Sequence, residues 1–125
     1  MSTQAPLKQT IMSGQTVAGA MVFEFFTPGM SNILANAGAR FAIYDMEHTG
    51  LGYETLKWLF ATCRGLPIEP MVRVPTGEYT WIARALDIGA LGLPLSGCGP
   101  QGGGIWFCSM RLHGRRCGRK NAPVP

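Results

Sequence analysis

Alternating strand and helix signals in the order βαβαβαβ predict an α/β fold built on a parallel sheet. Two observations carry this. The runs "RFAIY" (40–44) and "EPMVRVP" (69–75) are nearly unbroken apolar segments, as expected of parallel strands covered on both faces. Between the strand signals lie helical stripes closed by glycine, and strand starts recur about every 20 to 30 residues, the length of a right-handed βα crossover. An open doubly wound sheet and a (β/α)8 barrel both begin this way, and periodicity does not separate them.

The elements follow in order. "QTVAGAMVFEFF" (15–26) is a short β-type run, and "TPGMSNILANAGAR" after it reads as a helix with Thr27 as N-cap, Pro28 in the first turn and Gly38 as its stop. Met30, Ile33, Leu34 and Ala37 have the i, i+3, i+4, i+7 spacing of one buried face. In "GYETLKWLFATCRGL", Leu56, Leu59, Phe60 and Cys63 make a second stripe ending at Gly65. "TGEYTWIARALDIGA" offers Thr76 as a cap, a third stripe of Tyr79, Ile82, Ala83 and Leu86, and Gly89 as its stop. "LGLPLS" begins a fourth strand. The turn after the first strand, "TPGMS", is neither a dinucleotide-binding glycine fingerprint nor a P-loop.

Composition sets the limits. The 125 residues, 46% hydrophobic, suffice for one core and not for two. With 17 Gly and 9 Pro against 14% charged residues, a helical bundle is disfavoured. The net charge of +4 is unevenly placed: residues 1–96 carry six basic residues and all seven acids, whereas 97–125 hold Arg111, Arg115, Arg116, Arg119 and Lys120 with no acid. The basic character is therefore local, and a nucleic-acid partner is not expected. The N-terminal apolar stretch is broken by Gln, Ser, Thr and Glu24, so no signal peptide is expected and the protein reads as cytoplasmic, with no membrane partner. No run approaches the ~20 apolar residues of a membrane span.

Chemistry in parallel α/β folds collects at the carboxyl ends of the strands, where the loops converge. The charged residues that follow the second strand are Asp45, Glu47 and His48 in "YDMEHTG", and Arg73 lies near the end of the third. Two readings stand side by side. Asp45 caps a helix, Glu47 favours its N-terminal dipole and His48 is a loop histidine; or a histidine beside a carboxylate acts as a base while an arginine holds a carboxylate or a developing oxyanion. The second set suits enolisation.

At these residues the chain resembles the HpcH/HpaI aldolase family, metal-dependent class II pyruvate aldolases on a (β/α)8 TIM barrel. "YDMEHTG" is similar to its D-x-E-H motif on strand two, "PMVRVP" to its strand-three arginine motif, and "IARALDIGALGL" to its L-D-x-G-A segment. The three stand in order from about Val17 to Leu93, roughly three and a half βα units. The resemblance implies the N-terminal half of such a barrel over residues 1–96. It implies that His48, paired with Asp45, moves a proton at the methyl carbon of pyruvate; that Arg73 binds the keto oxygen and steadies the enolate; and that Glu47 stands near metal-bound water. It also implies a divalent cofactor, Mg2+, Mn2+ or Co2+, which chelates the 2-oxoacid substrate and makes its C3 proton acidic enough for histidine to remove. The family reaction is reversible aldol cleavage of a 4-hydroxy-2-oxoacid to pyruvate and an aldehyde, and the full-length family implies a homo-oligomer.

The departures matter as much. The family's two metal-binding carboxylates lie on later strands with no counterpart here, and a (β/α)8 barrel takes about 250 residues. After "ALDIGALGL" the pattern gives way to "PLSGCGPQGGG" and an irregular, basic Gly/Cys/Arg-rich tail over 97–125. A shifted reading frame or a truncated gene is the expectation, which the coding DNA beyond Gly92 tests. An isolated half-barrel exposes sheet edges and helix faces, so little aldolase activity is expected of the chain alone. Two other readings remain: a noncatalytic half-barrel that persists as an oligomer, and a tail that binds zinc or nucleic acid. For zinc, Cys98, Cys108, His113 and Cys117 lack the C-x2-C knuckle of a strong site.

Overall fold

The computed structural model describes residues 5–94. The tail of 97–125, with its zinc and nucleic-acid readings, lies outside them. The element order is α1 (Leu7–Met12), β1 (Ala20–Val22), α2 (Met30–Asn36), β2 (Phe41–Asp45), α3 (Tyr53–Thr62), β3 (Glu69–Arg73) and α4 (Tyr79–Asp87). The three strands form one parallel sheet in sequential order β1-β2-β3. In place of the expected fourth strand, the described residues hold one isolated parallel bridge between Met71 and Gly92 beside β3, with Val72 N–H on the Gly92 carbonyl and Leu91 N–H on that of Pro70. The expected α/β fold with a parallel sheet is what forms.

Strand alternation divides the sheet into two faces. Val22, Ala42, Tyr44, Val72 and Val74 point to the helical layer, where they meet Leu56, Leu59, Phe60 and Cys63 of the α3 region and Ala85 of α4, all buried. That stripe of α3 is as expected. The opposite face comes in rows set by the register: Gly19, Phe41 and Glu69; then Met21, Ile43 and Met71; then Asp45 and Arg73 at the carboxyl end. Gly19 lets the Phe41 ring lie directly against the backbone, where a Cβ would meet it unless the ring moved. In the first row Glu69 accepts the Leu7 N–H at 2.7 Å, which ties α1 to the amino end of β3.

Several boundaries differ from expectation. The first strand is three residues long, not the whole of 15–26. Neither Thr27 nor Thr76 caps a helix: the N-cap positions are Gly29 and Glu78, and neither makes a side-chain cap bond. On α2 the fully buried residue is Ser31, flanked by Met30, Leu34 and Ala35 against the core, while Ile33 is 62% exposed and Ala37 faces solvent. The helix is rotated because Ser31 has polar partners inside. The Thr62 hydroxyl donates to the Leu59 carbonyl at 2.7 Å, so Ser31 donates to Thr62 at 2.9 Å and accepts from Tyr44 Oη and Cys63 Sγ, each at 3.2 Å. Burial pushes the Tyr44 hydroxyl up to about 12 and raises the Cys63 thiol, so both stay protonated donors. On α4, Tyr79 is 84% exposed and Ala85 takes the centre of the buried face, with Ile82 and Leu86 beside it. Gly65 and Gly89 do end their helices, with φ of 81° and 110° that a Cβ would oppose. Among the described residues no helix is long and apolar enough to cross a membrane.

Candidate active site at the strand ends

Asp45 is the last residue of β2 and is fully buried. Parallel register sets it opposite Arg73, the last residue of β3. The two side chains form a bidentate pair: Arg73 Nε donates to Oδ1 at 2.8 Å and Nη2 to Oδ2 at 2.9 Å. The same carboxylate accepts the backbone N–H of Glu47 at 3.0 Å and of His48 at 3.2 Å. Burial alone would raise the Asp45 pKa, but the Arg73 hydrogen bonds, supported by those two N–H groups, outweigh it and hold the carboxyl below its ordinary 3.8. Arg73 is in turn held in its charged form chiefly by the hydrogen bonds to Asp45.

The loop that follows is pinned at both ends. Met46 N–H donates to the Arg73 carbonyl at 2.9 Å, the Thr49 hydroxyl donates to the Asp45 carbonyl and accepts the Leu51 N–H at 3.1 Å, and Met46 and Leu51 are buried. His48 is left at the apex with its side chain 65% exposed. No helix begins here: α3 starts at Tyr53 behind Gly52, so the helix-cap and helix-dipole readings of Asp45 and Glu47 fall.

The expected partnership of His48 with Asp45 also needs correction. Asp45 receives only the backbone N–H of His48, and the imidazole Nε2 lies 3.7 Å from Glu47 Oε1 instead. Both Asp45 oxygens face Arg73, which removes the imidazole's place beside them. Glu47 Oε2 approaches Arg73 Nε at 3.2 Å, yet the single Nε proton is directed to Asp45, so this oxygen is a buried acceptor with no hydrogen bond among the described residues. The site is thus a row, with Arg73 between Asp45 and Glu47 and His48 beyond Glu47. Sequence reasoning did not include Phe23, whose ring centroid lies 5.8 Å from Arg73 Cζ.

The residues present do not fit a complete divalent-metal centre. Among the described residues no three His, Cys, Asp or Glu side chains are grouped for one, and Asp45 has both oxygens committed to Arg73. A cleft of about 390 Å³ lies at the opposite end of the sheet, lined by Arg40, Arg64 and the turns after α3 and α4. Helix C-termini converge there, and their dipoles oppose an anion beside those arginines.

The geometry places an Asp-x-Glu-His loop against a strand-end arginine on a parallel sheet, and solved structures show the same arrangement of elements. An HpcH/HpaI aldolase from Desulfitobacterium hafniense superimposes with a TM-score of 0.66 at 30% identity, over 70% of this chain and 34% of that one. The fold is similar to part of that HpcH/HpaI aldolase. A hydroxypyruvate/pyruvate aldolase from Roseovarius nubinhibens is 32% identical over 83 residues, which is 66% of this chain and 32% of the relative. A second solved structure, the citrate synthase SbnG, has a TM-score of 0.66 at 31% identity over 74% of this chain and 38% of its own. The chain therefore spans about a third of the length of the curated relatives it matches. No family profile matches the sequence.

Acid should weaken this site. Because the folded pKa of Asp45 is depressed, the stability it contributes is complete well above 3.8 and is lost as the pH falls through 3.8 and then through the lower folded value. Urea unfolding midpoints are expected to be level from pH 7 to about 5 and to drop below about 4, and the drop is expected to shrink in Asp45→Asn.

Proposed function

We propose that the Asp45, Glu47, His48 and Arg73 edge is the enolate-binding and proton-transfer edge of a carbon-carbon lyase of the pyruvate aldolase type. The supporting observation is the Asp45–Arg73 clamp at the carboxyl ends of β2 and β3, with His48 exposed beside it. A guanidinium carries five N–H groups, of which Asp45 takes two, so three remain for a substrate. When the C3–C4 bond of a 4-hydroxy-2-oxoacid breaks, its electron pair stays on the pyruvate half as an enolate. The C4 hydroxyl proton departs as the aldehyde forms, and C3 then gains a proton. Arg73 supplies donors where the negative charge of the enolate oxygen develops. His48 carries the proton at the methyl carbon in this reading, with Glu47 Oε1 3.7 Å from its Nε2. The divalent ion of such aldolases would have to find its carboxylates outside the described residues.

Two readouts on the 125-residue chain test this. Titration with pyruvate, or with oxalate as a planar mimic of its enolate, is expected to move the NMR signals of Arg73 and His48, whereas acetate is expected to leave them. Absence of any such shift contradicts the reading. In a coupled pyruvate assay with Mg2+, Mn2+ or Co2+, the chain alone is expected to release little or no pyruvate from a 4-hydroxy-2-oxoacid. Robust metal-dependent release would show that ligands are supplied and that the chain is not impaired.

A further inference from the structure

Phe23 is a large apolar side chain that stays 47% exposed and takes no part in the buried core. Its position in the register explains why. Val22 pairs with Tyr44, and Phe23 comes just past the end of β1, while Asp45 comes just after Tyr44 and is opposite Arg73. The Arg73 side chain reaches across the end of β2 toward β1, and its guanidinium carbon comes to 5.8 Å from the Phe23 ring centroid. Within about 6 Å a guanidinium is attracted to an aromatic ring.

We propose that Phe23 is a positioning residue for Arg73, the aromatic support that sets how its unused N–H groups meet a small planar 2-oxoacid. Asp45 holds the guanidinium along one edge through Nε and Nη2. An edge-on pair leaves the plane free to swing about that edge. A ring packed against the group limits the swing and keeps both Nη1 protons and the second Nη2 proton turned in a fixed direction. The exposed part of the ring then forms an apolar border beside those donors, suited to the methyl side of a short 2-oxoacid rather than to a second charged group. The ligand arm of this inference rests on the pyruvate-aldolase reading, and the positioning arm does not.

The test uses the full chain labelled with 15N-arginine, with the Arg73 Nε–H signal assigned through Arg73→Lys. In the wild type this proton is expected to exchange with water far more slowly than that of free arginine. Phe23→Leu is expected to remove the ring-current displacement of the signal, speed its exchange about two- to five-fold and weaken oxalate binding by a similar factor. Phe23→Tyr is expected to restore all three. Because the ring is half exposed, the thermal midpoint of Phe23→Leu should stay within a few degrees of wild type. The proposal is overturned if Phe23→Leu leaves signal position and exchange unchanged, if Phe23→Tyr fails to restore them, or if the wild-type proton exchanges like free arginine. If oxalate leaves Arg73 unmoved in the wild type while Phe23→Leu still speeds exchange, the aldolase reading falls and the positioning role stands.

Discussion

Replacing Asp45 with alanine is expected to cost about 3–5 kcal/mol of folding stability, the loss typical when one member of a buried ion pair is removed. The carboxylate is fully buried and accepts four hydrogen bonds, two from Arg73 and two from the backbone of Glu47 and His48. Its removal strands a guanidinium that is only 18% exposed, with Glu47 Oε2 as its sole remaining carboxylate neighbour among the described residues. It also frees the turn that presents His48. Against a total stability on the order of 5–15 kcal/mol, such a loss leaves a marginal protein. Urea unfolding followed by circular dichroism measures it. Asp45→Ala/Arg73→Ala should recover part of the deficit, because removing both charges spares the desolvation cost of an unpaired one. A loss below about 1 kcal/mol in the single variant would mean that the pair contributes no more than a surface ion pair.

Leu56→Ala should have an effect of similar size from a different cause. Leu56 is fully buried between α3 and the strands, in contact with the cluster of Tyr44, Leu59, Phe60 and Val72. Truncation removes its transfer free energy and leaves a cavity that the short strands close only in part, for a cost of about 2–5 kcal/mol. The control lies two residues along the same helix. Trp58 is 73% exposed, and Trp58→Ala is expected to change stability by no more than about 0.5 kcal/mol. Thermal unfolding of the two variants side by side checks this. Equal losses would mean that α3 packs by another face.

The reach of the sequence varied with the kind of signal. The α3 stripe was readable because Leu56, Leu59, Phe60 and Cys63 repeat over a ten-residue helix, long enough for period 3.6 to dominate. On α2 only seven residues carry the pattern, and a serine sits at its buried centre. The apolar spacing put Ile33 on the buried face and left Ser31 out of it. The hydroxyls of Tyr44 and Thr62, which reverse this, come from other elements. Helix α1 is six residues long, shows no capping side chain and is held by Glu69 from 62 residues away, so nothing local announced it.

The site divides the same way. Asp45, Glu47, His48 and Arg73 were legible as one cluster because charges that end apolar strands gather at one end of a parallel sheet. Which of them touch was not. The family resemblance implied that His48 pairs with Asp45, but the β2–β3 register sets Asp45 against Arg73, 28 residues away. Phe23 was missed because its role depends on the span of the Arg73 side chain across a neighbouring strand.

Asp45 is the clamp of Arg73 and not the partner of His48. The most direct test is a 13C titration of the Asp45 carboxyl in the wild type and in a variant with the largely exposed His48 replaced, His48→Gln. The predicted result is a pKa below the ordinary 3.8 that His48→Gln leaves in place. A value at or above 3.8, or one that rises when His48 is replaced, would contradict it.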